Sequence, residues 1–143
     1  MNPTLEKFGY PDSIINSYQY WTILLRPQQV TLGALILGAN DQSTRFSDLP
    51  VAAMEELSEV ISHIETVLTA CFNYDKINYL MLMMVDPHVH FHVIPRYETE
   101  RKFDSAKSND SGWPGPPDLG KFTDFTQQQH ALLLNYLREN WVA

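Results

Sequence analysis

The spacing of hydrophobic and polar positions along this 143-residue chain changes several times, and each change predicts an element. Gln19-Tyr20-Trp21-Thr22-Ile23-Leu24-Leu25-Arg26 is rich in aromatic and β-branched residues and is stopped by Pro27, which predicts a strand. After a turn at Pro27-Gln28-Gln29, Leu32-Gly33-Ala34-Leu35-Ile36-Leu37 predicts a second strand closing at Gly38-Ala39-Asn40-Asp41, and the two read as an antiparallel hairpin. The period then lengthens. Met54, Leu57, Val60, Ile61, Ile64, Val67, Leu68 and Cys71 recur at three- and four-residue steps, the stripe of an amphipathic helix. Ser47-Asp48 followed by Pro50 marks its start, supplying a side-chain oxygen for free amides and a proline suited to the first turn. This helix is expected to cover the apolar side of a sheet, with His63 off the stripe at the surface.

Lys76 to Val85 is apolar almost throughout, which predicts a central strand buried on both faces or covered by a partner. Asp86-Pro87 breaks it and implies a tight hairpin. Next comes His88-Val89-His90-Phe91-His92-Val93-Ile94, where imidazoles alternate with apolar residues at the period of a strand. Such alternation puts His88, His90 and His92 on one face and Val89, Phe91 and Val93 on the other. Beyond Tyr97 the chain turns polar. Arg101 and Lys102 read as a solvated turn, and Ser105 to Pro117 reads as a loop in which Trp113 is a lid, a subunit contact or an anchor. Thr126 to Asn140 predicts a closing helix that packs through Ala131, Leu132, Leu134, Leu137 and Trp141, with His130 at the surface. Without an internal repeat or linker, residues 1–143 read as one domain.

Composition narrows the class. With 44% hydrophobic and 12% aromatic residues the chain is globular in character rather than disordered. It contains no apolar run of the roughly 20 residues that would span a bilayer, and Met1-Asn2-Pro3-Thr4-Leu5-Glu6-Lys7 lacks the basic-then-apolar form of a signal peptide. The expected location is the cytoplasm, with no membrane partner. The single cysteine, Cys71, precludes an intrachain disulfide, fits a reducing compartment and lies in the helical stripe as a core residue. A net charge of -7 argues against a nucleic-acid partner but leaves room for a small anion, because local charge governs a site. Arg96, Arg101 and Lys102 follow the histidines closely.

The histidine strand holds three of the five histidines in the chain. Imidazoles two residues apart on a strand lie about 7 Å apart, a spacing that suits two chemistries. One is a metal centre of three histidines. The other is nucleophilic catalysis, in which one ring attacks an electrophilic phosphorus or carbonyl while its neighbours supply orientation, protons and charge. A solvated polar face is the third possibility.

His88-Val89-His90-Phe91-His92-Val93-Ile94, continued by Pro95-Arg96, resembles the signature of the histidine triad (HIT) superfamily of nucleotidyl hydrolases and transferases. That resemblance implies an α+β fold, a mainly antiparallel sheet of about five strands with a long helix and a C-terminal helix packed on it. It also implies an enzyme acting at the α-phosphate of a nucleotide derivative, with His90 as nucleophile and a covalent nucleotidyl-histidine intermediate. His92 would contact the α-phosphate and the leaving group, and His88 would anchor the hydrogen bonds that set the ring tautomers. Neither metal nor cofactor is implied. The partner would be a purine nucleotide derivative, a dinucleoside polyphosphate or a nucleoside phosphoramidate. The second strand of the hairpin commonly opens with Pro-Gly-His in the superfamily. Here Gly33 matches the glycine and the histidine is missing, so Gly33 either lets backbone approach ligand or marks a bend. Asn78 resembles an asparagine found before the triad, and Arg96 closes the motif. Where relatives carry serine or glutamine in the loop before the triad, this chain offers Asp86 as a turn-former or an orienting acceptor. Relatives are commonly homodimers, with which the apolar run Tyr79 to Val85 is compatible. The rival readings are a nucleotide-binding protein with vestigial catalysis and a metal-dependent enzyme using the same face.

Overall fold

In a computed structural model, which describes residues 2–141, an antiparallel sheet separates two apolar clusters of unequal size. Residues 1, 142 and 143 of the expected 1–143 domain lie outside the described residues. The elements run α1 (Pro3–Lys7), β1 (Ile14–Ser17), β2 (Trp21–Leu25), β3 (Leu35–Ala39), α2 (Val51–Phe72), β4 (Lys76–Leu80), β5 (His90–Arg96), β6 (Arg101–Phe103), β7 (Ala106–Ser108) and α3 (Gln127–Asn140). The sheet order is β1-β2-β3-β5-β4, and β6 and β7 form a separate small hairpin. This is the expected α+β architecture with five antiparallel strands.

Register decides what each face carries. Leu24 pairs with Ile36, and Ile36 with His92, while the next row pairs Ile23 with Leu37 and Leu37 with Phe91. Side chains alternate between faces, so the Ile23 row joins the large core beneath α2 and α3. The Leu24 row joins a small cluster of Leu5, Leu24 and Ile36, covered by α1. The long helix therefore lies opposite the histidine face, as expected.

Several elements differ from the sequence reading. The buried stripe of α2 contains Ala53 and Phe72, whereas Met54 is 40% exposed. The helix is turned there because Trp21 Nε1 donates to Ala53 O at 2.8 Å, which brings Ala53 down onto the sheet. Leu133, Leu134 and Leu137 seat α3, whereas Ala131 and Leu132 are exposed. A Thr126–Gln129 capping box sets where this helix starts. His63 and His130 are half-buried rather than at the surface, and Tyr18 Oη lies 2.8 Å from His63 Nδ1.

The expected central strand from Lys76 to Val85 is an edge strand ending at Leu80. Its apolar second half is a loop in which Met84 and Val85 are 84% and 85% exposed, beginning near a left-handed Met83 with φ 48°. Nor do Arg101 and Lys102 form a solvated turn, since both lie in β6. The Arg101 guanidinium donates to the carbonyls of Phe72 and Asn73 and lies 4.6 Å from the Tyr97 ring centre, closing the open C-terminus of α2.

Candidate active site

His90 and His92 alternate with Phe91 on β5 and project from the face covered by α1. They are 1% and 7% exposed, with ring centres 5.1 Å apart. Phe8, just past α1, packs its ring edge-on against His92 at 5.7 Å. Asn2 ties this small helix to the histidine segment. Its Oδ1 accepts from Thr4 N at 2.9 Å as the N-cap, and its Nδ2 donates to Val89 O at 3.0 Å.

His88 lies before the strand. The adjacent Val89 is held by Ser43 and Ala39, donating to Ser43 O and accepting from Ala39 N, each at 3.0 Å. The half-buried His88 side chain places Nδ1 3.4 Å from Thr4 Oγ1. Its carbonyl oxygen is 2.7 Å from His90 Nδ1. A carbonyl only accepts, so His90 Nδ1 carries the proton and Nε2 is the basic nitrogen of the neutral ring.

Both strand histidines line a cavity of about 300 Å³ with Lys7, Phe8, Arg26 and the loop Leu82–Asp86. Arg26 falls two positions beyond Leu24 and so on the same face. It is 7% exposed; Nη1 donates to Gln28 O at 2.7 Å, and Nε has no partner. Lys7 reaches the Asp86 carboxylate at 2.9 and 3.0 Å. Burial first, then the Arg26 guanidinium and His90, hold His92 below the usual imidazole range, at about 4. Its Nδ1 is buried without a partner. The cavity thus joins an imidazole of defined tautomer, a neutral second imidazole and a buried cation, a set suited to an anionic electrophile.

The remaining candidate residues are distributed differently. Asp86 lines the cavity, but its carboxylate binds Lys7 rather than orienting a histidine. Gly33 is not in the cavity wall. At φ +88° its Cβ would lie 2.8 Å from the Phe72 ring, so close packing against the end of α2 requires glycine here. The glycine of the histidine face is Gly38, opposite His90, where Leu5 occupies the space a Cβ would take. Asn78 and Arg96 stand at the far end of that face. Arg96 spends its donors on Asn78 Oδ1 at 2.7 Å, Gly115 O at 2.8 Å and both Asp110 oxygens at 2.7 and 3.0 Å. With Trp113 they border a separate hollow of about 500 Å³. Lys7, Phe8 and Arg26 were not anticipated as site residues. For Arg26 the signal was present, a charged residue ending an apolar strand with the parity of Leu24. Among the described residues no group of three or more His, Cys, Asp or Glu is arranged to hold a metal ion, and no helix is long and apolar enough to cross a membrane.

The HIT domain model matches residues 11–99. Among solved structures, a histidine triad (HIT) protein from Sinorhizobium meliloti 1021 aligns with a TM-score of 0.76 at 22% identity, covering 98% of this chain and 95% of that one. A histidine triad protein from Bradyrhizobium japonicum gives 0.74 at 18% identity over 99% and 97% of the two chains. A hypothetical histidine triad nucleotide-binding protein from Sulfolobus tokodaii strain7 gives 0.66 at 16% identity over 90% and 82%. At these identities the likeness is one of fold. A search of curated proteins gives no match.

Proposed function

Because the chain belongs to the HIT domain family, within a superfamily of nucleotide-binding hydrolases and transferases, we propose that it cleaves a nucleotide derivative at the α-phosphate with His90 as nucleophile. The observation that carries this reading is the hydrogen bond from His90 Nδ1 to His88 O at 2.7 Å, which leaves Nε2 basic in a ring lining the cavity. The Nε2 lone pair forms a bond to the α-phosphorus while the bond to the leaving group breaks, its electron pair departing with that group, which takes a proton from water where it is an amine. The resulting nucleotidyl-imidazolium keeps its proton on Nδ1, hydrogen-bonded to the His88 carbonyl. Water then attacks phosphorus, the P–N pair returns to Nε2, and a proton is released with the nucleoside monophosphate; another acceptor in place of water gives transfer. His92, 5.1 Å away between ring centres, faces the α-phosphate and the departing atom. Dinucleoside polyphosphates and nucleoside phosphoramidates are the candidate substrates. A homodimer and a cytoplasmic setting belong to the same reading, the first supported by β4 at the edge of the sheet.

The test is chromatographic product analysis after incubating wild type and His90→Ala, without added metal, with diadenosine polyphosphates and adenosine 5'-phosphoramidate. Mononucleotide release by wild type alone is expected, with nucleotide affinity and melting temperature little changed by the substitution. Turnover retained by His90→Ala overturns the mechanism. Nucleotide binding without any product moves the protein to the vestigial reading.

A further inference from the structure

The proton on His90 Nδ1 depends on the chain just before β5. The contact between Nδ1 and His88 O closes a ring of atoms through Val89, so its geometry follows from the two peptide planes that flank Val89. Neither plane is set by the regular sheet. The ladder with β3 ends where Gly38 faces His90, and β4 ends where Leu80 faces His92. Val89 lies one residue beyond, fully buried, and bonds from outside these ladders hold it. Its N–H, which shares a plane with the His88 carbonyl, donates to Ser43 O at 3.0 Å. Its own carbonyl accepts twice, from Ala39 N and from Asn2 Nδ2, each at 3.0 Å. Of these three bonds, the one from Asn2 is made by a side chain.

Asn2 is fully buried, and its amide can stand only one way round. Oδ1 accepts from Thr4 N at 2.9 Å, which leaves Nδ2 to face the Val89 carbonyl. Leu5 anchors α1 beside the same rung by occupying the space at Gly38, opposite His90. We propose that Asn2 is a positioning residue for His90: through the Val89 carbonyl it holds the preceding peptides at the angle that keeps the ring proton on Nδ1 and the lone pair on Nε2. The inference rests on the reading of His90 given above. A neutral imidazole carries its proton on one nitrogen or the other, and the bond its N–H makes decides which. Where the His88 carbonyl turns away from Nδ1, part of the population carries the proton on Nε2 and has no lone pair to direct at phosphorus. Substrate contacts elsewhere in the cavity are untouched by that exchange, so the loss falls on kcat rather than on KM.

Two substitutions separate this role from helix capping. Asn2→Ala removes both bonds, whereas Asn2→Ser keeps an oxygen suited to the N-cap and loses the donor to Val89 O. The imidazole 15N resonances of His90, identified by their absence from His90→Ala, are compared at about pH 8, above the ordinary imidazole range. In parallel, kcat and KM are measured on whichever of diadenosine tetraphosphate and adenosine 5'-phosphoramidate wild type cleaves. Wild type should show a protonated Nδ1 and a bare Nε2. Both variants are expected to share the proton between the two nitrogens and to lose roughly two- to tenfold in kcat, the worth of one net hydrogen bond, at nearly constant KM. Asn2→Ser carries the comparison alone if the alanine variant does not fold. A wild-type tautomer or a wild-type kcat in Asn2→Ser overturns the proposal, because capping alone would then account for the asparagine. A loss confined to KM overturns it as well. If wild type releases no product, the catalytic reading fails by itself and the spectra still decide: a tautomer that shifts in Asn2→Ser upholds the positioning role, and one that does not overturns it.

Discussion

Replacing Gly38 with alanine would add one methyl group where the histidine face is most crowded. The new Cβ would press into Leu5 Cδ2 and lie 3.1 Å from Leu5 Cγ. Leu5 is fully buried against Leu24 and Ile36, so it has no route to solvent by rotation alone. Gly38 is not among the glycines with positive φ, so alanine meets no backbone penalty and its cost is steric. Overpacking of this kind costs about 1–3 kcal/mol. Leu5→Ala makes the opposite error and should cost about 2–5 kcal/mol, the usual range for a buried leucine. Combined, the added methyl occupies space that the leucine leaves, so the double variant should lose less than the sum by about 1 kcal/mol or more, as contacting pairs do. Urea unfolding of all four proteins at one pH, with m-values compared, measures the cycle. Losses that add to within about 0.5 kcal/mol would show that the two residues do not compete for the same volume, and the account of why glycine stands at this position would be wrong.

Two further outcomes follow from charges inside the fold. His92 titrates at about 4 in the folded protein against an ordinary 6.5, so the unfolded chain takes up its proton first; the stability this represents is present above about pH 6.5 and is lost as pH falls toward 4. At about 1.4 kcal/mol per unit that loss approaches 3 kcal/mol. Unfolding midpoints from pH 7 to 4.5 should fall less steeply in His92→Asn, and identical slopes would sink the assignment; His130, also held low by burial, acts in the same direction in both proteins. Asp110→Ala strands Arg96, whose side chain is 5% exposed, and should cost about 3–5 kcal/mol in the same assay; a loss below about 1 kcal/mol would mean that the buried pair contributes little.

What the sequence made legible follows from what periodicity measures. The strands around Ile23, Ile36 and Val93 and the stripe of α2 are long enough for burial to imprint a period, and they were read correctly to within a few residues. The run from Leu82 to Val85 has the same apolar character but, Met83 apart, is exposed, because hydrophobicity reports a preference and not a partner. The five-residue helix at Pro3–Lys7 is too short to show a period. What holds it is a space left by Gly38, a residue more than thirty positions away, which no local pattern displays. The lining of the candidate site was legible where chemistry is concentrated in neighbouring residues, at His90 and His92. It was not legible at Lys7, Phe8 and Arg26, which reach the cavity from other parts of the chain. Gly33 illustrates the converse, a residue matched by motif whose role is to admit the Phe72 ring.

The unequal clusters on the two faces of the sheet divide the labour of the molecule. Most of the buried apolar side chains lie beneath α2 and α3, whereas the histidine cavity lies under a cover whose contacts include Leu5, the Asn2 side chain, the Phe8 ring and the Lys7–Asp86 ion pair. Amide exchange should therefore separate into two regimes, with Leu5 to Phe8 opening far more often than the strand beneath them. Outside Leu5 and Asn2, such a cover can be rewritten in descendants of this chain one substitution at a time, and the side chains that border the cavity can change while the sheet that holds the histidines stays as it is.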